Sequence, residues 1–283
     1  MKAKNTGALL LIGGAGAVGV IALAAAFTGG RTQPKGHRMD WVARVIARTS
    51  RHEGSYASQN RNSDGAGLSF GILQWAQLPG SLGKLLAAMQ QADPSAFARI
   101  LGPAWQQLLA TTRAGSLAPV GGEVLWKRPW TSRFKEAGNY EVFRAVQRRM
   151  AQEGSHFRGA VDTARILGVA TERSMSLFFD TSVQQGAGAA RKVARQVAER
   201  FAKAGRTSVP YRELLLAYAQ RAADRCRTFT RPSSSSGGRL RWVQEGNEWH
   251  LWAGKFNLYK AIHRRRMGIV NDPDLSDDPV NLG

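Results

Sequence analysis

Two carboxylates and a hydroxyl, Glu53, Asp64 and Ser69, follow one another within a short stretch of the chain. Asp64 begins a glycine-rich turn, and Ser69 lies in the apolar run behind that turn. Hydrolysis of a glycosidic bond requires one carboxyl that protonates the leaving oxygen and a second that activates a water or stabilises the oxocarbenium-like transition state. The types and order of these residues therefore favour a glycosidase.

The stretch that ends at Glu53 has the spacing of an amphipathic helix. Asp40 can cap its start and Gly54 can end it. Its apolar residues and one threonine fall on a single helical stripe: Val42, Val45, Ile46 and Thr49. The stripe continues to Glu53, where an apolar edge favours the protonated carboxyl that a general acid needs. The alternative is a solvated glutamate at a helix end, since most glutamates are exposed.

Residues 64–71 (Asp-Gly-Ala-Gly-Leu-Ser-Phe-Gly) resemble the Asp-Gly-x-Gly-aromatic-Thr-x-Gly segment of chitosanase-type glycoside hydrolases, which belong to the lysozyme-like superfamily. The longer string through Gln74 and Trp75, followed by Gly80-Ser81-Leu82 and Leu85-Leu86, is more similar to bacterial and phage peptidoglycan-active members. Two features depart from the chitosanase pattern: serine replaces threonine, and the gap between Glu and Asp is shorter.

The order Glu, Asp, then Ser or Thr also resembles that of phage-type lysozymes. The resemblance implies that Glu53 is the acid, that Asp64 is the base or stabiliser, and that Ser69 positions the water. We expect the Glu53 and Asp64 carboxyls to stand about 6.5–9.5 Å apart, because a water must fit between them in an inverting enzyme. Gln74, Trp75 and Gln184 are the candidates for substrate binding.

Residues 175–188 resemble a core helix of the same superfamily, in which a Phe-Asp-x-x-Val-Gln-x-Gly pattern runs behind the active site. Asp180 lies within this apolar helix and needs a partner. The resemblance implies an arginine that also holds the catalytic glutamate in place, and Arg221 is the predicted partner. A buried Asp–Arg brace without any role in catalysis is the alternative.

The chain of 283 residues has a net charge of +20, which indicates an anionic environment. Cell-wall polymers and membrane surfaces fit this charge. Nucleic acid is a less favoured partner because no recognised nucleic-acid-binding motif accompanies the basic residues. Cys226 is the single cysteine, so no intramolecular disulfide forms, and the five histidines lack metal-ligand spacing. The sequence predicts neither a metal nor a cofactor and leaves the oligomeric state open.

The N-terminal segment is apolar, with no charged residue between Asn5 and Gly30. Residues 1–30 are predicted to be a signal anchor with a transmembrane helix over residues 7–28, since about 20 apolar residues span a bilayer. A cleaved signal peptide and a signal-arrest-release segment, found in some phage endolysins, are the alternatives. Each of these places the rest of the chain outside the cytoplasm, with the anchor giving single-pass attachment to the inner membrane.

The rest of the chain is predicted to be mainly helical, an α+β lysozyme-like fold with two helical lobes and a small β-hairpin and loop region. Residues 31–38 are a linker, 39–270 the catalytic domain, and 271–283 an acidic tail that we expect to be disordered. Helix breaks are expected at Asp93-Pro94 and Gly102-Pro103, an irregular lobe over 114–135, and a hairpin turn at Gly246-Asn247.

Together these features favour a muramidase that cleaves the glycan strands of peptidoglycan. A chitosanase-like enzyme is the first alternative, although a strongly basic protein would repel a cationic glucosamine polymer. A lytic transglycosylase is the second alternative, and its mechanism requires only the catalytic glutamate. The third is a catalytically silent domain that binds the cell wall or forms part of a virion.

Overall fold

The computed structural model describes residues 38–53, 55–62, 65–232 and 240–282. They form two compact units, one of residues 46–154 and one of residues 38–45 with 155–282. Each unit is mainly helical and contains a small antiparallel sheet. The predicted class, mainly helical with a small β region, is therefore confirmed.

The helix predicted to end at Glu53 is present and begins at Arg38 (α1, Arg38–Glu53). Val45 and Thr49 are fully buried, and Val42 and Ile46 are nearly so. The predicted apolar stripe is thus the buried face of α1. Glu53 is its last residue, but the Glu53 side chain lies outside the part of the chain that the structure describes.

The first unit opens with a three-stranded antiparallel sheet of β1 (Gln59–Arg61), β2 (Leu68–Phe70) and β3 (Trp75–Ala76), in that order. Ser69 in the central strand pairs with Asn60 on one side and Ala76 on the other. The helices of this unit are α2 (Ser81–Ala92), α3 (Pro94–Leu101), α4 (Trp105–Arg113), α5 (Trp130–Asn139) and α6 (Glu141–Glu153).

The breaks between α2, α3 and α4 fall at the predicted proline and glycine positions. Asp93 caps α3 by accepting a hydrogen bond from the Ala96 N–H at 2.9 Å, and Pro94 takes the first helical position, where an N–H is not needed. Phe70 of β2 packs edge-on against Phe134 of α5, with ring centres 5.1 Å apart. The small sheet is therefore anchored on the helical core of its own unit.

The irregular lobe is shorter than predicted, because α5 begins at Trp130. Trp130 and Phe134 lie one helical turn apart, and both are buried with Ala137, so the packing of one apolar face stabilises the helix. The Trp130 indole donates to the Val120 carbonyl at 2.9 Å and ties the preceding loop to the helix. An irregular conformation extends only to residue 129.

The second unit contains α7 (Ser155–Leu167), α8 (Glu172–Gln185), α9 (Ala187–Lys203), α10 (Tyr211–Ala223) and α11 (Leu258–Val270), with strands β4 (Arg227–Thr228), β5 (Leu240–Glu245), β6 (Glu248–Ala253) and β7 (Phe256–Asn257). The predicted core helix is α8, which is buried along nearly its whole length and packs against the other four helices. The predicted hairpin joins β5 to β6 through Gly246, whose φ of 62° suits a tight turn.

The acidic tail is packed in this unit, contrary to the expected disorder. The buried Arg173 of α8 donates to backbone oxygens of the tail region, those of Val270, Asp272 and Leu275. It also bonds the Asp277 carboxylate at 2.6 Å, and the Val280 N–H bonds the Ala170 carbonyl at 2.8 Å. The acidic composition predicted disorder. The buried Arg173 guanidinium instead supplies hydrogen-bond donors to the carbonyls and the carboxylate of the tail region, which keeps it ordered.

The predicted N-terminal anchor (residues 7–28) and most of the linker lie outside the described residues. Among the residues that are described, no helix is both long enough and apolar enough to cross a bilayer.

Candidate active site

The loop between β1 and β2 carries Asp64 and is closed by hydrogen bonds at its base. Asn62 donates its N–H to the Gly67 carbonyl at 3.0 Å, and its side-chain oxygen accepts the Gly67 N–H at 2.9 Å. Asn62 has a φ of 60°, which asparagine tolerates better than most residues. The two ends of the loop are thus fixed, while Asp64 itself lies outside the described residues.

Ser69 lies in the middle strand of the same hairpin and is 4% exposed. Its neighbours Leu68 and Phe70 are completely buried, so β2 is enclosed on both faces. The backbone of Ser69 is therefore fixed by two antiparallel partners, and the serine follows the Asp64 loop directly. The roles of Glu53 and Asp64, and the distance between their carboxyls, stay predictions.

A buried glutamine, Gln77, fixes the start of β2. Its side-chain oxygen accepts the Leu68 N–H at 3.1 Å, and its amide nitrogen donates to the Ser116 carbonyl at 2.7 Å. Gly67 lies against this amide with a φ of 77°, and a Cβ added there would stand 2.6 Å from Gln77 Oε1. Glycine is thus required at this point of the motif, and Gln77 connects the start of β2 to the segment around Ser116.

A second buried glutamine, Gln147 of α6, joins two segments of the hairpin region. Its amide donates to the Tyr56 carbonyl at 3.0 Å and accepts the Ile72 N–H at 3.1 Å. Tyr56 belongs to the connection between Glu53 and β1, and Ile72 follows β2. The Gln147 side chain therefore connects the segment that follows Glu53, the predicted acid, to the turn that follows Ser69.

Gln74 and Trp75, two of the predicted substrate-binding residues, have local structural contacts in this unit. Gln74 has a φ of 52° and donates its side-chain amide to the Gly71 carbonyl at 2.8 Å. Trp75 is partly buried and packs against the hydrophobic core of the unit. Both support the turn after Ser69, and their binding role stays a prediction.

In the second unit, Asp180 pairs with Arg265 of α11 rather than with the predicted Arg221. Arg265 Nε donates to Asp180 Oδ1 at 2.6 Å, whereas Arg221 Nε donates to Gln196 at 3.0 Å. Asp180 is completely buried. Arg266, which follows Arg265 in the chain, is also completely buried, and burial lowers its pKa. The predicted aspartate–arginine pair exists, but its arginine comes from a different helix.

Gln184, the third predicted substrate-binding residue, lies near the end of α8 in the second unit. Its side-chain oxygen is buried and has no hydrogen-bond partner among the described residues. The structure thus distributes the predicted site residues over both units: Ser69, Gln74 and Trp75 lie in the first, and Asp180, Gln184 and Arg221 in the second.

Sequence reasoning missed three of these residues: Gln77, Gln147 and Arg265. For Gln147 a signal exists, because it lies on the buried stripe of α6 with Phe143, Val146 and Ala151. A polar residue on such a stripe needs a partner. Arg265 was hidden in a run of three arginines that composition assigns to general basicity.

No family model matches the chain, and no curated protein matches it in sequence. By structure, the chain is similar to a glycoside hydrolase family 46 chitosanase from Gynuella sunshinyii, solved in complex with chitotetraose. The TM-score is 0.51 at 18% identity, over 86% of this chain and 98% of that one. Native chitosanase from Bacillus subtilis MY002 gives a TM-score of 0.47 at 16% identity, over 66% of this chain and 77% of that one.

The described residues therefore share their fold with the family 46 chitosanase from Gynuella sunshinyii. At 18% identity the likeness concerns the fold.

Proposed function

We propose that this protein is a glycosidase that cleaves the glycan strands of peptidoglycan outside the cytoplasm. The observation that carries the proposal is the hairpin of the first unit. In a chain with a lysozyme-like fold, the loop holding Asp64 and the buried Ser69 are fixed in one hairpin. That hairpin directly follows the helix that ends at Glu53.

In the proposed mechanism Glu53 protonates the glycosidic oxygen as the bond to the anomeric carbon breaks. Asp64 accepts a proton from a water that attacks the opposite face of the sugar, and the Ser69 hydroxyl orients that water. This division of labour is that of an inverting glycosidase, in which the sugar leaves with inverted configuration.

A chitosanase-like activity is the second candidate, favoured by the structural likeness to an enzyme solved with chitotetraose. The charge of +20 supports peptidoglycan instead, because chitosan is cationic and the wall is anionic. The predicted N-terminal anchor supports the same choice, since it would place the domain where the wall lies.

Mass spectrometry of the products tests the reaction and the substrate together. Purified peptidoglycan and chitosan are digested by the full chain in parallel. We expect muropeptides with reducing ends from peptidoglycan. Anhydro ends would show transglycosylation instead, chitosan oligomers alone would show the second candidate, and no products from either polymer would reject the glycosidase.

The water-activating groups are tested by comparing Asp64→Asn with Ser69→Ala. We expect Asp64→Asn to lower kcat by at least about a hundredfold, the scale of general-base catalysis. Ser69→Ala should cost less, since it removes a hydrogen bond and no charge. The kcat values of both variants on peptidoglycan measure this, and a larger loss in Ser69→Ala would reverse the assigned roles.

A further inference from the structure

Residues of α6, together with Gly138 of α5, contact the chain segment that joins Glu53 to β1. Gln147 bonds the Tyr56 carbonyl at 3.0 Å. Arg144 and Arg148, one helical turn apart, place their guanidinium carbons 4.8 and 5.7 Å from the centre of the Tyr56 ring. Gly138 packs closely against the same segment, where a Cβ would stand 2.5 Å from the Tyr56 carbonyl oxygen. The two arginines are thus fixed beside a residue only three positions beyond the predicted acid.

This cluster of Tyr56, Arg144 and Arg148 is positively charged. Glu141 is its paired carboxylate, at 3.1 Å from Arg144 and 2.8 Å from Arg148. The hydrogen bond from Arg148 lowers the pKa of Glu141, so this carboxylate is ionised. A guanidinium has five N–H groups. The Glu141 pairing takes one from each arginine. Arg148 also hydrogen-bonds the Tyr56 side chain, and the Arg144 Nε is buried, so the terminal nitrogens carry the donors that face solvent.

The arginines are open to a ligand as well as charged. Their side chains are 40% and 37% exposed, and Glu141 is 65% exposed. Ion pairs between exposed side chains contribute little to stability. A ligand can therefore take N–H donors of Arg144 and Arg148 from Glu141 with little loss of folding free energy. Both guanidinium carbons lie within cation–π distance of the Tyr56 ring, and this contact restrains the two side chains before any ligand binds.

Planar guanidinium groups recognise carboxylates through paired N–H donors and repel amines. We propose that Arg144 and Arg148, held by Tyr56, form a subsite for carboxylates carried by the glycan beside the scissile bond. The subsite selects a peptide-bearing anionic glycan over a neutral or cationic one. This inference rests on the proposed function and names its substrate class.

A purely structural role for the same contacts makes a different prediction. If the arginines only brace Tyr56, their loss should displace the segment after Glu53 and lower activity equally on every glycan. If they bind carboxylates, the loss depends on the charge of the substrate. The charge dependence of the loss therefore separates the two roles.

The test compares full-length wild-type protein with Arg144→Gln and Arg148→Gln. Arg149→Gln is the matched control, because Arg149 is exposed on the same helix and its loss changes the net charge equally. The substrates are glycan chains bearing stem peptides and the same chains after amidation of the peptide carboxylates. We expect kcat/KM on the anionic chains to fall roughly tenfold or more in each subsite variant, the scale of a hydrogen bond between charged groups. Activity on the amidated chains, and both activities of Arg149→Gln, should be unchanged.

Equal losses on both substrates would overturn the subsite, as would a wild-type preference for the amidated chains. If the wild type cleaves neither, the proposed function fails, but the subsite is still tested by equilibrium binding. Soluble disaccharide-peptide is titrated against each protein by calorimetry. We expect about tenfold weaker binding to Arg148→Gln than to Arg149→Gln, and equal affinities would refute the inference.

Discussion

Glu53 is the residue on which the proposed chemistry depends most directly. The change Glu53→Gln keeps the shape of the side chain and removes the proton that must reach the leaving oxygen. We expect glycan cleavage to fall by at least about a hundredfold, the scale of general-acid catalysis. Initial rates on purified peptidoglycan measure this, with Glu199→Gln, an exposed change on α9, as the control. Near wild-type activity in Glu53→Gln would remove this residue from the mechanism.

At the residue level, sequence reasoning found the kinds of group and missed some of the pairings. The need of Asp180 for a cationic partner follows from the apolar residues around it. The choice between Arg221 and Arg265 depends on which helix packs against α8, and a single sequence does not contain that information. Gln147 is a similar case, because its two backbone partners lie 91 and 75 residues away along the chain.

At the level of elements, Gln77 should stabilise the hairpin that holds Ser69. Gln77→Ala leaves the Leu68 N–H and the Ser116 carbonyl without their partner, and unsatisfied buried groups cost about 1–3 kcal/mol each. We expect the free energy of unfolding to fall by about 2 kcal/mol or more, as measured by urea denaturation. Gln107 bonds two backbone groups in the same unit but is exposed. A comparable loss in Gln107→Ala would contradict the argument from burial.

The docking of the C-terminal tail depends on Arg173 of α8. Arg173→Met keeps an extended side chain but removes every side-chain donor to the tail, while the bond from the Arg173 backbone N–H to the Ser276 carbonyl stays. We expect faster hydrogen exchange over residues 271–280 and a stability loss of about 2–4 kcal/mol, because several carbonyls lose their partner. Asp278→Asn, which changes an exposed tail residue, is the control. Unchanged protection of the Val280 amide in Arg173→Met would mean that other contacts hold the tail.

Local signals predicted the elements well wherever a residue has a strong backbone preference. Asp93-Pro94 and Gly102 separate α2, α3 and α4 because proline lacks an N–H and glycine tolerates a positive φ. The start of α5 and the order of the tail were missed for a different reason. Both depend on tertiary contacts, the burial of Trp130 and the donors of Arg173, which override local composition.

At the scale of the whole molecule, the proposed location depends on the N-terminal segment. As a helix, residues 7–28 would be about 33 Å long at 1.5 Å per residue, enough for a hydrocarbon core of about 30 Å. We expect the full chain to fractionate with membranes and a protein lacking residues 1–30 to be soluble. The shortened protein should cleave purified peptidoglycan at the wild-type rate, because the elements that carry the candidate site begin at Arg38. If it is insoluble because residues 7–28 complete its core, the anchor is wrong, and the proposed position outside the cytoplasm loses its main support.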